Sequence, residues 1–138
     1  MLCEASHEES VKHHEWVNRN TEEFIESLNI PYHTVANYGG DLGLGQVKKY
    51  DIELWVPKEG KYREISSASY FHDFQTRRLN IRYRDDDGTI RYAHSLNSTA
   101  IPTPRILVSI IENYQQADGT IRVPPALVPF IGKEVLGK

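Results

Sequence analysis

Cysteine occurs once, at Cys3, and methionine once, at Met1. One thiol cannot close an internal disulfide or build a Cys-rich zinc site, so neither device is expected to hold this chain together. No apolar run approaches the roughly 20 residues that span a bilayer, and the N-terminus lacks the basic and apolar regions of a signal peptide. No membrane association is expected, and the single thiol suits a reducing, cytoplasmic setting. An excess of charge of either sign is missing too: 16 basic against 19 acidic residues leave a formal charge of -3. That balance speaks against a chain that grips nucleic acid by bulk positive charge, and 39% apolar content speaks against a disordered tail. With 138 residues there is room for one core, so a single domain over residues 1–138 is expected.

Charge is concentrated locally instead. Lys61 to Arg84, KYREISSASYFHDFQTRRLNIRYR, carries arginines at 63, 77, 78, 82 and 84 around Glu64 and a run of small hydroxylic residues. Its companion is His94 to Arg105, HSLNSTAIPTPR. Such a grouping suits an anionic, metal-bound substrate held on a β-sheet.

The elements around these stretches follow from pattern. Ser6 and Glu9 have the spacing of a capping box, and Val11, Val17, Phe24 and Leu28 keep one helical face, which predicts a helix over 7–28. Asn29 and Pro31 end it. The adjacent His13 and His14 point to different sides of such a helix and cannot ligate one metal together. Tyr32 to Asn37 reads as a strand. The loop YGGDLGLGQ, Tyr38 to Gln46, is not a dinucleotide fingerprint, because its glycines keep the wrong order and a strand follows. Asp41 within it can face a ligand's amine or plain solvent.

Tyr50 to Val56 alternates as a half-buried strand, and Tyr62 to Ser67 reads as its hairpin partner. Strict alternation there puts Glu64 and Ser67 on opposite faces, so they converge only if the strand bends, bulges or ends between them. Phe71 to Asn80 reads as a short helix with Phe74 and Leu79 inward. Ile81 to Arg84 and Thr89 to Leu96 read as a hairpin around Asp85 to Gly88, a turn rather than a calcium loop. Thr103 can cap a helix whose first residue is Pro104, with Ile106, Leu107, Ile110, Ile111 and Tyr114 on its apolar face. Arg105 then lies in the first turn, where the helix dipole disfavours a cation unless an anion or an acidic neighbour is present. Asp118-Gly119 makes another turn, and Ile121 to Val123 a last short strand.

REISSASYFHDFQTRRLNIRYR, HSLNSTAIPTPR, IIENYQQADGTIRVPPALVPFIG and GDLG followed by KKYDIELWVP resemble the C-terminal part of the catalytic domain of seryl-tRNA synthetase, a class II aminoacyl-tRNA synthetase. The resemblance runs from about His7 to Gly132. It implies an α+β fold, an antiparallel β-sheet flanked by helices, as part of the class II catalytic fold. By the same resemblance, Glu64 and Ser67 match the positions that hold the Mg2+ bound to ATP, Asn97 and Thr99 match the serine-recognition positions, and Arg105 matches the motif 3 arginine at the ATP γ-phosphate. The implied chemistry is activation of serine by ATP to seryl-adenylate, then transfer to tRNA(Ser).

Family segments that precede this region, motifs 1 and 2 and the coiled-coil arm, are expected to be absent, since only Met1 to Ser6 lies upstream of the match. Ala68 and Tyr70 replace the family's usual cysteine and asparagine, and Tyr38-Gly39 its usual Cys-Thr. The expectation is therefore a chain of enzymatic lineage with little aminoacylation activity alone, which forms a homodimer or joins a complementing chain. A second reading is a non-catalytic nucleotide- or RNA-binding module derived from the same fold. A third, an amino-acid ligase acting on a carrier protein, is disfavoured because its relatives use a cysteine-containing zinc site.

Overall fold

The computed structural model describes residues 1–137. Strands β1 (Leu2–Cys3), β2 (Tyr32–Ala36), β3 (Lys48–Val56), β4 (Lys61–Tyr70) and β7 (His94–Ser98) form one antiparallel sheet in the order β1-β7-β4-β3-β2. Helices α1 (His7–Ser27) and α3 (Thr103–Tyr114) pack on one face of it. A short helix α2 (Phe74–Leu79) and the hairpin of β5 (Arg82–Arg84) and β6 (Ile90–Tyr92) sit between β4 and β7 in sequence. β8 (Ile121–Arg122), α4 (Val128–Ile131) and β9 (Val135–Leu136) close the chain, with β8 and β9 paired.

Local chemistry sets these boundaries. Ser6 is the N-cap of α1, its hydroxyl accepting the Glu9 N–H at 3.3 Å. Asn29, at φ 53°, takes the left-handed conformation that stops the helix. The core gathers Ile25, Leu28 and Ile30, Ile52 and Leu54 of β3, Ile65 of β4, and Ile106 and Tyr114 of α3. The Tyr114 hydroxyl donates to the Leu28 carbonyl, which joins the end of α1 to α3.

Four expectations are corrected. The buried stripe of α1 is Ser10, His14, Asn18, Thr21 and Ile25, continuing to Leu28, whereas Phe24 is 41% exposed. Short polar side chains win this face because β4 and β7 offer backbone and imidazole partners there: His14 Nε2 donates to the Ala68 carbonyl at 2.9 Å, and Ser10 Oγ lies 2.7 Å from His94 Nδ1. The expected strand from Thr89 to Leu96 breaks at Ala93. Its first part pairs with β5, while its second joins the main sheet beside β4. At the break Thr76 of α2 donates its hydroxyl to the Ala93 carbonyl at 2.5 Å.

Thr76 also takes the buried position on α2, and Leu79 is 69% exposed. On α3 the N-cap is Pro102 rather than Thr103, Pro104 is the second helical residue, and Leu107 faces solvent. Proline's fixed φ suits either of the first positions equally well, so the motif alone does not set the start.

Candidate functional site

The β3–β4 ladder carries the feature that builds the site. Ser67 pairs with Asp51 and Ser66 with Ile52, but Glu64 pairs with Glu53, so Ile65 is an extra residue opposite no partner. This is a β-bulge. Cross-strand partners share a face, and Asp51 and Glu53, two residues apart, share one also. Glu64 and Ser67 therefore lie on the same face, despite being three positions apart. The bulge meanwhile turns Ile65 and Ser66 both inward, each 2% exposed.

This face, opposite α1 and α3, is polar along the middle of β3 and β4. Asn97 of β7 pairs with Ser69 of β4, which shares the face of Ser67, so Asn97 joins the row. The Thr99 N–H donates to the Ser67 carbonyl at 3.2 Å and brings that residue alongside. Glu64, Ser67, Asn97 and Thr99 are thus gathered on one surface. Toward its rim, Tyr62 stacks on His33 with ring centroids 4.1 Å apart and meets Trp55 edge-on at 5.2 Å.

Arg105 approaches from the helix side. Pairing of β4 with β7 starts only at Ala68, which leaves the Glu64 carbonyl free, and Arg105 Nη1 donates to it at 3.2 Å. The same nitrogen lies 3.6 Å from Glu64 Oε1, with both side chains well exposed. An exposed pair of this length is worth about 0–1 kcal/mol, so each partner is readily released to a ligand. Glu64 and Arg105 line a cleft of ≈ 400 Å³ with Val56, Glu59, Arg63, Ile65, Val108 and Ser109. The acidic neighbour that a first-turn arginine calls for is Glu64 itself.

Four of the five arginines between Lys61 and Arg84 are engaged locally. Arg63 pairs with Glu59, Arg77 with Asp73, and Arg78 lies over the Phe74 ring at 3.6 Å. Arg84 donates to the Gly88 carbonyl at 2.9 Å. Arg63 borders the Arg105 cleft, held there by Glu59.

Sequence reasoning missed Asn37, Lys49, Asp51, Gln46 and Ser69. Asn37 Nδ2 donates to Asp41 Oδ2 at 2.9 Å and to Asp51 Oδ2 at 2.8 Å, which ties the glycine-rich loop to β3. Lys49 Nζ also meets Asp51 Oδ2, at 3.0 Å. Burial pulls the Lys49 ammonium down, but the Asp51 hydrogen bond and the charges of Asp51, Glu64 and Asp41 outweigh it and leave its pKa raised. Gln46 Nε2 donates to Ser69 Oγ at 2.8 Å. Gly45, at φ +83°, lets the loop pass directly over Phe74, whose ring a Cβ there would strike. An acidic residue on the polar face of an alternating strand was the one available signal for Asp51.

The donor set can be tested against a metal. Among the described residues no group of three or more His, Cys, Asp or Glu side chains could hold one. Glu64 and Ser67 offer a carboxylate and a hydroxyl, hard oxygens that leave most positions to phosphate oxygens and water. That division fits magnesium, which binds through one or two protein oxygens together with substrate phosphates.

The chain is similar to known proteins in both sequence and fold. The sequence is 52% identical to the serine–tRNA ligase of Deinococcus radiodurans over the whole chain and 33% of that protein. It is 53% identical to the Pyrococcus horikoshii serine–tRNA ligase over 94% of the chain and 29% of that protein. The crystal structure of P. horikoshii seryl-tRNA synthetase complexed with ATP superposes with a TM-score of 0.91 at 50% identity, covering 97% of this chain and 30% of that one. The cytoplasmic serine–tRNA ligase of Naegleria fowleri in complex with AMP gives 0.88 at 36% identity, covering 97% and 32%. The chain thus spans about a third of the length of these relatives. Residues 1–114 match the tRNA synthetase class II core domain (G, H, P, S and T), and the chain belongs to that family.

Proposed function

We propose that this chain forms the second part of a seryl-tRNA synthetase catalytic core, in which ATP activates serine to seryl-adenylate for transfer to tRNA(Ser). The observation that carries the reading is the bulge at Ile65, which sets Glu64 and Ser67 on one face beside Asn97 and Thr99. Glu64 and Ser67 would hold an ATP-bound Mg2+. That ion, when bound, neutralises charge on the phosphates. Arg105 leaves its weak contact with Glu64 to receive the γ-phosphate, a charge-assisted contact in place of an exposed pair. Asn97 and Thr99 offer amide and hydroxyl groups to the serine side. The contribution of these residues is positioning and charge stabilisation rather than proton transfer.

The relatives are about three times as long, and groups acting from their other segments lie outside these residues. Little aminoacylation by the 138 residues alone is part of the proposal, as are a cytoplasmic location and association with a second copy or with a chain that supplies the rest of the core. An apolar groove lined by Met1, Trp16, Val17, Phe24 and Ile101 supports association. Among the described residues no helix is long and apolar enough to cross a membrane.

Calorimetry with a non-hydrolysable seryl-adenylate analogue and with ATP·Mg2+ tests the reading. Binding that is weakened at least tenfold in Arg105→Ala, and magnesium dependence lost in Glu64→Gln, are the expected results. Tight, magnesium-independent RNA binding with no analogue binding would instead establish a nucleic-acid module.

A further inference from the structure

Asp51 is a carboxylate whose two oxygens are treated very differently. Oδ2 receives both Asn37 Nδ2 and Lys49 Nζ, at 2.8 and 3.0 Å. Oδ1 is buried and has no partner, in a residue only 8% exposed. An unsatisfied buried acceptor is costly, and here a lysine and an asparagine hold the carboxylate in place regardless. Oδ1 lies away from bulk solvent, where a nearby protein donor can complete it. The ladder identifies one: Ser67 is the direct cross-strand partner of Asp51, on the same face. Side chains so placed have Cβ atoms about 5 Å apart, within one rotamer change of a hydroxyl-to-carboxylate hydrogen bond.

We propose that Asp51 is the positioning residue for Ser67, accepting its hydroxyl hydrogen at Oδ1 so that the oxygen lone pairs turn toward the cation. This rests on the reading that Ser67 holds the phosphate-bound cation. A hydroxyl is a weak ligand; donating its hydrogen to a carboxylate makes the oxygen more basic and fixes its direction, as outer partners do for metal ligands generally. Lys49 and Asn37 keep Asp51 from rotating toward the cation and becoming a ligand itself. Asp41, held by Asn37 Nδ2 at 2.9 Å, links this arrangement to the glycine-rich loop.

The test uses the full chain, Mn2+ as a paramagnetic probe and a non-hydrolysable ATP analogue, with Mn2+ affinity read by electron paramagnetic resonance. Asp51→Asn is expected to weaken Mn2+ binding by about tenfold, the lower end of such outer-partner effects. Ser67→Ala is expected to weaken it at least as much, and the double variant no further than Ser67→Ala alone, since both act through one hydroxyl. Asp51→Asn with unchanged affinity, or a loss fully additive with that of Ser67→Ala, overturns the proposal. Glu64→Gln separates the two levels. If it leaves Mn2+ affinity unchanged, or if the unaltered chain binds no Mn2+ with the nucleotide, the cation site itself is wrong and the role of Asp51 falls with it. Thermal melts of each variant distinguish loss of fold from loss of the ligand contact.

Discussion

The two faces of the five-stranded sheet are made by the same strands and obey different rules. On the helix side Ile52, Leu54 and Ile65 are at most 2% exposed and pack against Ile25, Leu28, Ile106 and Tyr114. On the other side Asp51, Glu53, Glu64, Ser67, Ser69 and Asn97 make a polar surface joined by hydrogen bonds and loose ion pairs. One face is held by volume, the other by charge placement. The bulge at Ile65 serves both, since it adds an apolar side chain to the core and changes which residues of β4 look outward. Folding energy therefore resides on one side and ligand chemistry on the other, and substitutions can separate them.

The largest effect is expected at Ile65. Ile65→Ala should destabilise the chain by about 2–5 kcal/mol, measured by urea unfolding, because it opens a cavity where both faces meet. A loss below about 1 kcal/mol would mean that the site collapses freely and that the faces are less distinct than described. Next comes Gly45→Ala, which combines φ +83° with a collision against Phe74. A cost of about 1–3 kcal/mol is expected, together with displacement of the Gln46 to Ser69 contact, seen as chemical-shift changes confined to the open face.

Acid should break the helix side first. Burial lowers the pKa of His14 below its ordinary 6.5; its Nε2 is committed to the Ala68 carbonyl, and its buried Nδ1 has no acceptor for a proton. Burial, then the neighbouring His94 and His7, likewise lower His72. The unfolded chain thus binds protons that the folded chain refuses. Stability from these groups is complete above about pH 6.5 and declines below it, toward the folded-state pKa values, by at most about 1.4 kcal/mol per pH unit per group. Chemical denaturation between pH 7.5 and 5 measures the slope, and His14→Gln should flatten it. An unchanged slope would place the acid sensitivity elsewhere. The smallest effect on stability is expected at the exposed first turn of α3: Arg105→Ala should stay within about 1 kcal/mol of the parent while nucleotide binding falls sharply. A stability loss comparable to that of Ile65→Ala would erase the distinction between the faces.

How much of this was legible in the sequence differs between the same two sides. The order of α1, β2, β3, β4 and α3, the Ser6 cap and the Asn29 stop could be read, because each depends on residues within a few positions. The polar stripe of α1 could not. Its side chains are buried by partners such as the Ala68 carbonyl and His94, which lie far along the chain, and a hydropathy period sees only Val11, Val17 and Phe24. The break at Ala93 meets Thr76, equally remote. At the site, Glu64, Ser67, Asn97, Thr99 and Arg105 could be named from motif resemblance, and the conflict between Glu64 and Ser67 could be stated. Its resolution needed the ladder, since nothing in REISS marks Ile65 as the residue without a partner. Asp51 escaped notice because an acid on the polar face of a strand looks like solvent contact until its cross-strand neighbour is known.

Side-chain direction along a strand works as a two-letter reading frame, and the bulge at Ile65 is a frameshift within β4. Lys61 to Glu64 are read in one frame and Ser66 to Tyr70 in the other, so the two halves should tolerate polar and apolar substitutions in opposite phase. Deleting Ile65 would remove the shift at the expense of a core side chain, leaving Glu64 opposite Glu53 and Ser66 opposite Ile52 in a regular ladder. A one-residue insertion in the Pro57 to Gly60 turn would leave the shift where it is, because it lies outside the strand. A library of one-residue deletions and insertions across 57–70, selected for folding, would locate the shift without a structure.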